Sequence, residues 1–392
     1  MYIPAELNNF ELPREIEKDC DYVNDLERYL EKYCEHVSNK LREYPESVKE
    51  IEENINLIKD CLSNYYDGKL ADAYENIRKI LAKYADGDDL TQFVVATMDD
   101  NYAFRGAAPK GIRSAIYSGA EYDQIYDKML KHNLTFFKAR VDNETIKGKD
   151  MLHIPFSKRD LISTQRFSIP GIPCIYLSAS SYGAWIEMGC PESSQFQVSS
   201  IQIPDDIRVL NLCIHQYLID GMTSMIGNSE EEKQAKACLE IFPLVIATSY
   251  HVKQKERKFK SEYIISQIVM QVCGEIGIDG VAYLSKRTKD IYAYPQAVNL
   301  AIAIPNNCNS QYWERANEIK LTEPIRFIDF LTRGIRNKGV EQEFLSYVNE
   351  IYKENYSKNV YLGNTEIEYI KTDFSAFDEY ILKQEFNSFS EL

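Results

Sequence analysis

Between residues 15 and 84 the apolar side chains step by three and four, and beyond residue 134 they mostly alternate. The chain must therefore fold as helices first and as strands mixed with helices afterwards. Val48, Ile51, Ile55, Ile58 and Leu62 keep the helical step, and Leu70, Tyr74, Ile77, Leu81 and Tyr84 resume it after the breaker Asp67-Gly68. An earlier stretch, from about Glu15 to Leu41, repeats it through Ile16, Val23, Leu26, Leu30 and Val37. Three amphipathic helices packed as a hairpin or small bundle are expected. Then Leu134 to Val141 alternates as a strand that puts Leu134, Phe136, Lys138 and Arg140 on one face. Further strands are expected over 174–178, 196–203, 208–212, 280–285 and 298–304. Helices are expected near 121–131, from Ser181 to Glu187 behind a Ser180-Ser181 cap, and over 230–249, 262–276 and 340–354. The fold class is α+β.

A chain of 392 residues accommodates two or three domains at about 150 residues each. The composition shifts along it: residues 1–90 carry twenty-two acids against twelve bases, about two thirds of the whole chain's net charge of −15. We divide it into an acidic helical domain (1–90), a connecting segment (91–132), a strand-rich domain (133–310) and a C-terminal extension (311–392) packed on that domain. The negative balance disfavours extensive nucleic-acid or anionic-membrane binding. Nine cysteines without a Cys-x-x-Cys pair read as reduced thiols, and five isolated histidines support no metal site. The opening MYIPAELNNFELPREIEK has no basic segment followed by an apolar one, so a cytoplasmic protein is expected. The glycines form neither a dinucleotide-binding fingerprint nor a phosphate loop, so no redox cofactor is expected. The basic run Lys253 to Lys260 reads as a solvated helix end.

One segment combines a loop, a strand and a helix: QRFSIPGIPCIYLSASSYGAWIE, residues 165–187. Arg166 lies just before a Pro-Gly-x-Pro turn, Tyr176 within the strand that follows, and Glu187 about two helical turns beyond the strand's end. Taken singly, an Arg before a turn usually anchors a loop, a strand Tyr is usually core and a helix Glu is usually surface. Taken together, their order and spacing resemble the RES family of toxins, named for Arg, Glu and Ser, which degrade NAD. Ala184-Trp185-Ile186-Glu187 supplies the family's Ala-x-x-Glu element. Arg140 in FFKAR and Ser285 in DGVAYLS match two further pieces, so the resemblance spans roughly 133–304.

That resemblance implies a mixed sheet with a cleft like that of the ADP-ribosyltransferases. It implies cleavage of NAD at the nicotinamide-ribose bond with phosphate or water as acceptor, depleting NAD and arresting growth. NAD is then a substrate, and inorganic phosphate a candidate co-substrate. Glu187 would stabilise the positive charge that builds on the ribose, Arg166 and Arg140 would hold the pyrophosphate, Tyr176 would stack on the nicotinamide, and Ser285 would contact ribose or phosphate. Two other readings stay open: transfer of ADP-ribose to a macromolecule, and a non-catalytic interaction module. Candidate partners are an antitoxin or immunity protein and further copies of the chain. The C-terminal residues are expected to add a strand or two, as in PIRFIDF, and a helix packed on that mixed-sheet core. The N-terminal helices are expected to gate the catalytic domain, so that a chain starting at Thr91 would fold and be more active.

Overall fold

The computed structural model describes residues 10–16, 21–85, 93–105, 134–169, 171–227, 232–254, 256–289, 293–304, 311–333 and 359–392. The helices expected near 121–131 and over 340–354 lie outside them. Helices α1 (Asp21–Lys40), α2 (Pro45–Tyr66) and α3 (Leu70–Ala82) form where the apolar spacing places them. Pro45 opens α2, a position where its missing N–H leaves no bond unmade. The apolar step does not reach back to Glu15 as helix. Arg14–Glu15 pairs instead as a short parallel strand with Tyr250–His251.

Ten strands make one mixed sheet: β1 (Val95–Thr97), β2 (Phe136–Val141), β3 (Cys174–Ser178), β4 (Phe196–Gln202), β5 (Arg208–Leu212), β6 (Gly280–Leu284), β7 (Val298–Ala303), β8 (Lys320–Leu321), β9 (Ile325–Arg326) and β10 (Asn387–Ser388). Their order is β10-β8-β4-β2-β3-β7-β6-β5-β1, with β9 also paired to β4. Among the described strands of the sheet, only β5 and β6 run parallel. The crossover between them carries helices α5 (Glu232–Thr248) and α6 (Ile264–Glu275), while α4 (Ser181–Glu187) follows β3 directly. The α+β expectation holds.

Buried apolar residues form two clusters. In the first, α1, α2 and α3 share one core with α5, α6 and the apolar side chains Leu210, Val281 and Tyr283 of the sheet. The Tyr22 hydroxyl donates to the Ala247 carbonyl at 2.9 Å, Tyr33 to Leu239 at 2.7 Å, and the Asn54 amide to Glu240 at 2.8 Å. These polar bonds pin α1 and α2 along the length of α5. The second cluster joins α4 and residues such as Ala282 and Leu300 to helices α7 (Phe327–Thr332) and α8 (Asp373–Leu382). The C-terminal extension is thus packed on the sheet, and its PIRFIDF segment supplies the expected strand over a shorter span. Only Ile325–Arg326 pairs as strand, and helix begins at Phe327. Phe327 and Phe330, one turn apart, meet Phe374 and Phe377 of α8 at 4.8 to 5.0 Å between ring centroids, contacts that a strand would split between two faces. No helix among the described residues is long and apolar enough to cross a membrane.

Candidate active site

Strand β2 pairs with β4 over all six of its residues but meets β3 at a single pair, Phe137 opposite Ser178. A cavity of about 450 Å³ is lined by residues of both strands together with α4, Tyr263 and the ends of β6 and β7. That is the size range of small-molecule sites. Arg140, Arg166, Tyr176 and Glu187 all line it, and Ser285 reaches it through Glu187.

The carboxylate comes from the last residue of α4, and the local sequence explains where that helix sits. Ser180 caps it by accepting the Gly183 N–H at 3.0 Å. Gly183 lets the helix lie against the strand, because a Cβ there would come within 2.2 Å of the Ser178 hydroxyl and 2.7 Å of the Gln296 carbonyl. At the other end Glu187 Oε1 accepts the Ser285 hydroxyl at 2.6 Å and the Asn299 amide at 2.8 Å, and Oε2 lies 3.4 Å from Arg287 Nε. Ser285 and Asn299 are fully buried. Two neutral donors and one guanidinium therefore hold a half-exposed carboxylate in a single orientation, as electrostatic stabilisation of a developing cation requires.

Arg166 is placed differently from the sequence expectation. One of its guanidinium nitrogens donates to the Thr248 carbonyl at 2.9 Å, another to the Tyr250 carbonyl, and the group lies 5.2 Å from the Tyr263 ring centroid. It locks the turn before β3 to the end of α5, so its main bonds are those of a loop anchor, although it also lines the cavity. Arg166→Lys keeps the charge but cannot span both carbonyls, and it should lower stability by about 1.5 to 3 kcal/mol. Thermal melting checks this, and an unchanged midpoint would contradict the anchoring role.

Tyr176 lines the cavity, and burial, with Cys174 close by, holds its phenol well above the ordinary pKa. The cavity is basic. Lys138, Arg140, Arg166, Lys260, Lys286 and Arg287 line it against one carboxylate, Glu187, in a chain whose net charge is −15. Burial pushes the Lys138 ammonium down to about 7, with the nearby Arg140 charge adding to the effect. His153 lines the cavity but is structural: its Nδ1 donates to the Ile154 carbonyl at 2.8 Å and its Nε2 accepts the Trp313 N–H at 3.0 Å. No cluster of metal-ligating side chains occurs among the described residues.

Four of these residues were missed from the sequence as site residues: Lys138, Lys286, Arg287 and Asn299. Two had a signal, since Lys138 interrupts an aromatic strand and Asn299 an apolar one. The basic run resolves into separate roles. Lys253 pairs with Glu15 at 3.4 Å, Arg257 pairs with buried Glu262, and Lys260 lines the cavity; Lys255 lies outside the described residues.

The start of α4 is held from the C-terminal extension. Asp378, fully buried on α8, accepts the Ser181 N–H at 3.0 Å and the Tyr369 hydroxyl. Burial raises its pKa from 3.8 to about 7. The folded state thus keeps a proton that the unfolded chain releases, so this group favours folding most below about pH 4 and progressively less as pH rises to about 7. Asp378→Asn should flatten that part of the stability profile, which melting across pH measures. A variant whose midpoint follows pH as the wild type does would contradict the assignment.

No family model matches the chain, and no solved structure matches it. Among curated proteins it is similar to one from Bacillus subtilis (strain 168) named "Putative toxin YopC", with 29% identity over 259 residues. That alignment covers 63% of this chain and 56% of the relative, so the chain spans little more than half the length of the curated protein it matches.

Proposed function

We propose that this chain is a toxin or defence effector that cleaves NAD at the nicotinamide-ribose bond, passing the ADP-ribosyl group to phosphate or water. The observation that carries the reading is the Glu187 carboxylate, held by Ser285 and Asn299 in a cavity that is otherwise basic. A dinucleotide with an anionic pyrophosphate and a cationic nicotinamide needs both signs of charge. The basic side chains supply one, and Glu187 with the Tyr176 ring supplies the other. As the bond to nicotinamide breaks, its electron pair leaves with the ring, which becomes neutral, and the ribose carbon turns cationic. A fixed carboxylate stabilises that charge more in the transition state than in the ground state. Attack by a phosphate oxygen then yields ADP-ribose 1″-phosphate, and attack by water yields ADP-ribose and a proton. The name of the Bacillus subtilis relative supports a toxin.

Expression of the intact chain in a bacterium should lower cellular NAD before growth stops, and the Glu187→Gln form should do neither. Growth arrest at unchanged NAD would overturn the reading.

A further inference from the structure

Lys138 and Arg140 lie two residues apart on β2, and both line the cavity. Arg166 is committed to two carbonyls and Arg287 to Glu187, whereas neither Lys138 nor Arg140 makes an ion pair within 4.0 Å among the described residues. Among the described residues the Lys138 ammonium donates to the Tyr176 carbonyl at 3.1 Å. Arg140 Nε is buried without a partner among the described residues, and Asp150, the carboxylate that acts on it, is exposed and beyond ion-pair distance. Two enclosed cations side by side repel one another and have lost much of their hydration, an arrangement that a fold tolerates only at a cost in stability. A dianion seated between them relieves both penalties.

Their position narrows the occupant. Tyr176, whose carbonyl holds the Lys138 ammonium, lies two residues along β3 from Ser178, and Ser178 sits opposite Asn299, the residue that holds Glu187. Two residues of strand span about 7 Å, the room for one small tetrahedral anion beside the carboxylate. We propose that Lys138 and Arg140 form an oxyanion subsite that seats inorganic phosphate as the acceptor, an inference that rests on the NAD-cleaving reading above. A phosphate oxygen there forms the new bond to the ribose carbon while the carbon–nitrogen bond breaks toward nicotinamide. Hydrogen phosphate needs no base to do this, so no proton has to be placed.

The experiment is a calorimetric titration of the full chain with inorganic phosphate, repeated on Lys138→Met and Lys138→Arg and paired with thermal melting. Lys138→Met should bind phosphate about tenfold more weakly and melt at a higher temperature, because an enclosed unpaired ammonium has been removed, while Lys138→Arg should stay near the wild type. In turnover assays Lys138→Met should raise the KM for phosphate about tenfold and leave that for NAD within about twofold. Phosphate binding that is unchanged in Lys138→Met overturns the subsite. So does a raised KM for NAD with an unchanged one for phosphate, since the pair then holds the dinucleotide's own pyrophosphate. If the wild-type chain binds phosphate through Lys138 yet consumes no NAD, the subsite stands and the NAD reading falls.

Discussion

Glu187→Gln should leave the protein folded and remove about two to three orders of magnitude of NAD turnover, the scale for losing one preorganised electrostatic group. The amide keeps the Oε1 acceptor that Ser285 and Asn299 bind. It loses the charge opposite Arg287, a contact in which both side chains are about 30% exposed, so stability should fall by no more than about 1 kcal/mol. A steady-state assay beside a melting curve separates the two effects. Wild-type turnover by this variant would remove the carboxylate from the mechanism, whereas a collapsed melting curve would make it a structural residue.

Deleting residues 1–90 should abolish folding rather than release activity. The sequence suggested a gating acidic module because residues 1–90 carry most of the negative charge and lie outside the resemblance, and neither feature says what the apolar faces of α1 to α3 touch. In the structure they touch α5 and α6, and Phe242, Val245, Ile246, Val272 and Cys273 belong to the core completed by Tyr22, Tyr33, Ile58 and Ile77. Uncovering five such side chains costs roughly 10 kcal/mol at about 1.5 to 3 kcal/mol each, as much as a typical domain's whole stability. α5 also carries Thr248, whose carbonyl Arg166 grips at the cavity. A chain starting at Thr91 should therefore be insoluble or lack a cooperative melt. A soluble truncation that melts cooperatively and depletes NAD faster would restore the gating role expected from the sequence.

The long elements were legible because each carries its own apolar rhythm: α2 and α3 in their steps of three and four, β3, β6 and β7 in short apolar runs. The two-residue strands β8, β9 and β10 carry none, since pairing with neighbours far along the chain is what makes them strands. The same distinction runs through the site. Glu187, Tyr176 and Arg140 were readable because their neighbours form a local pattern, and the cavity does contain them. What holds them was not readable. The carbonyls that bind Arg166 lie 82 and 84 residues away, Asn299 lies 112 residues from Glu187, and Asp378 lies 197 from Ser181. Partners that meet only through the sheet leave no spacing to detect.

The central claim is tested most directly by incubating the purified full chain with NAD, with and without inorganic phosphate, and weighing the products. The account predicts free nicotinamide in both cases, with ADP-ribose 1″-phosphate formed when phosphate is present. NAD left intact, or nicotinamide released with the ADP-ribosyl group attached to protein, would contradict it.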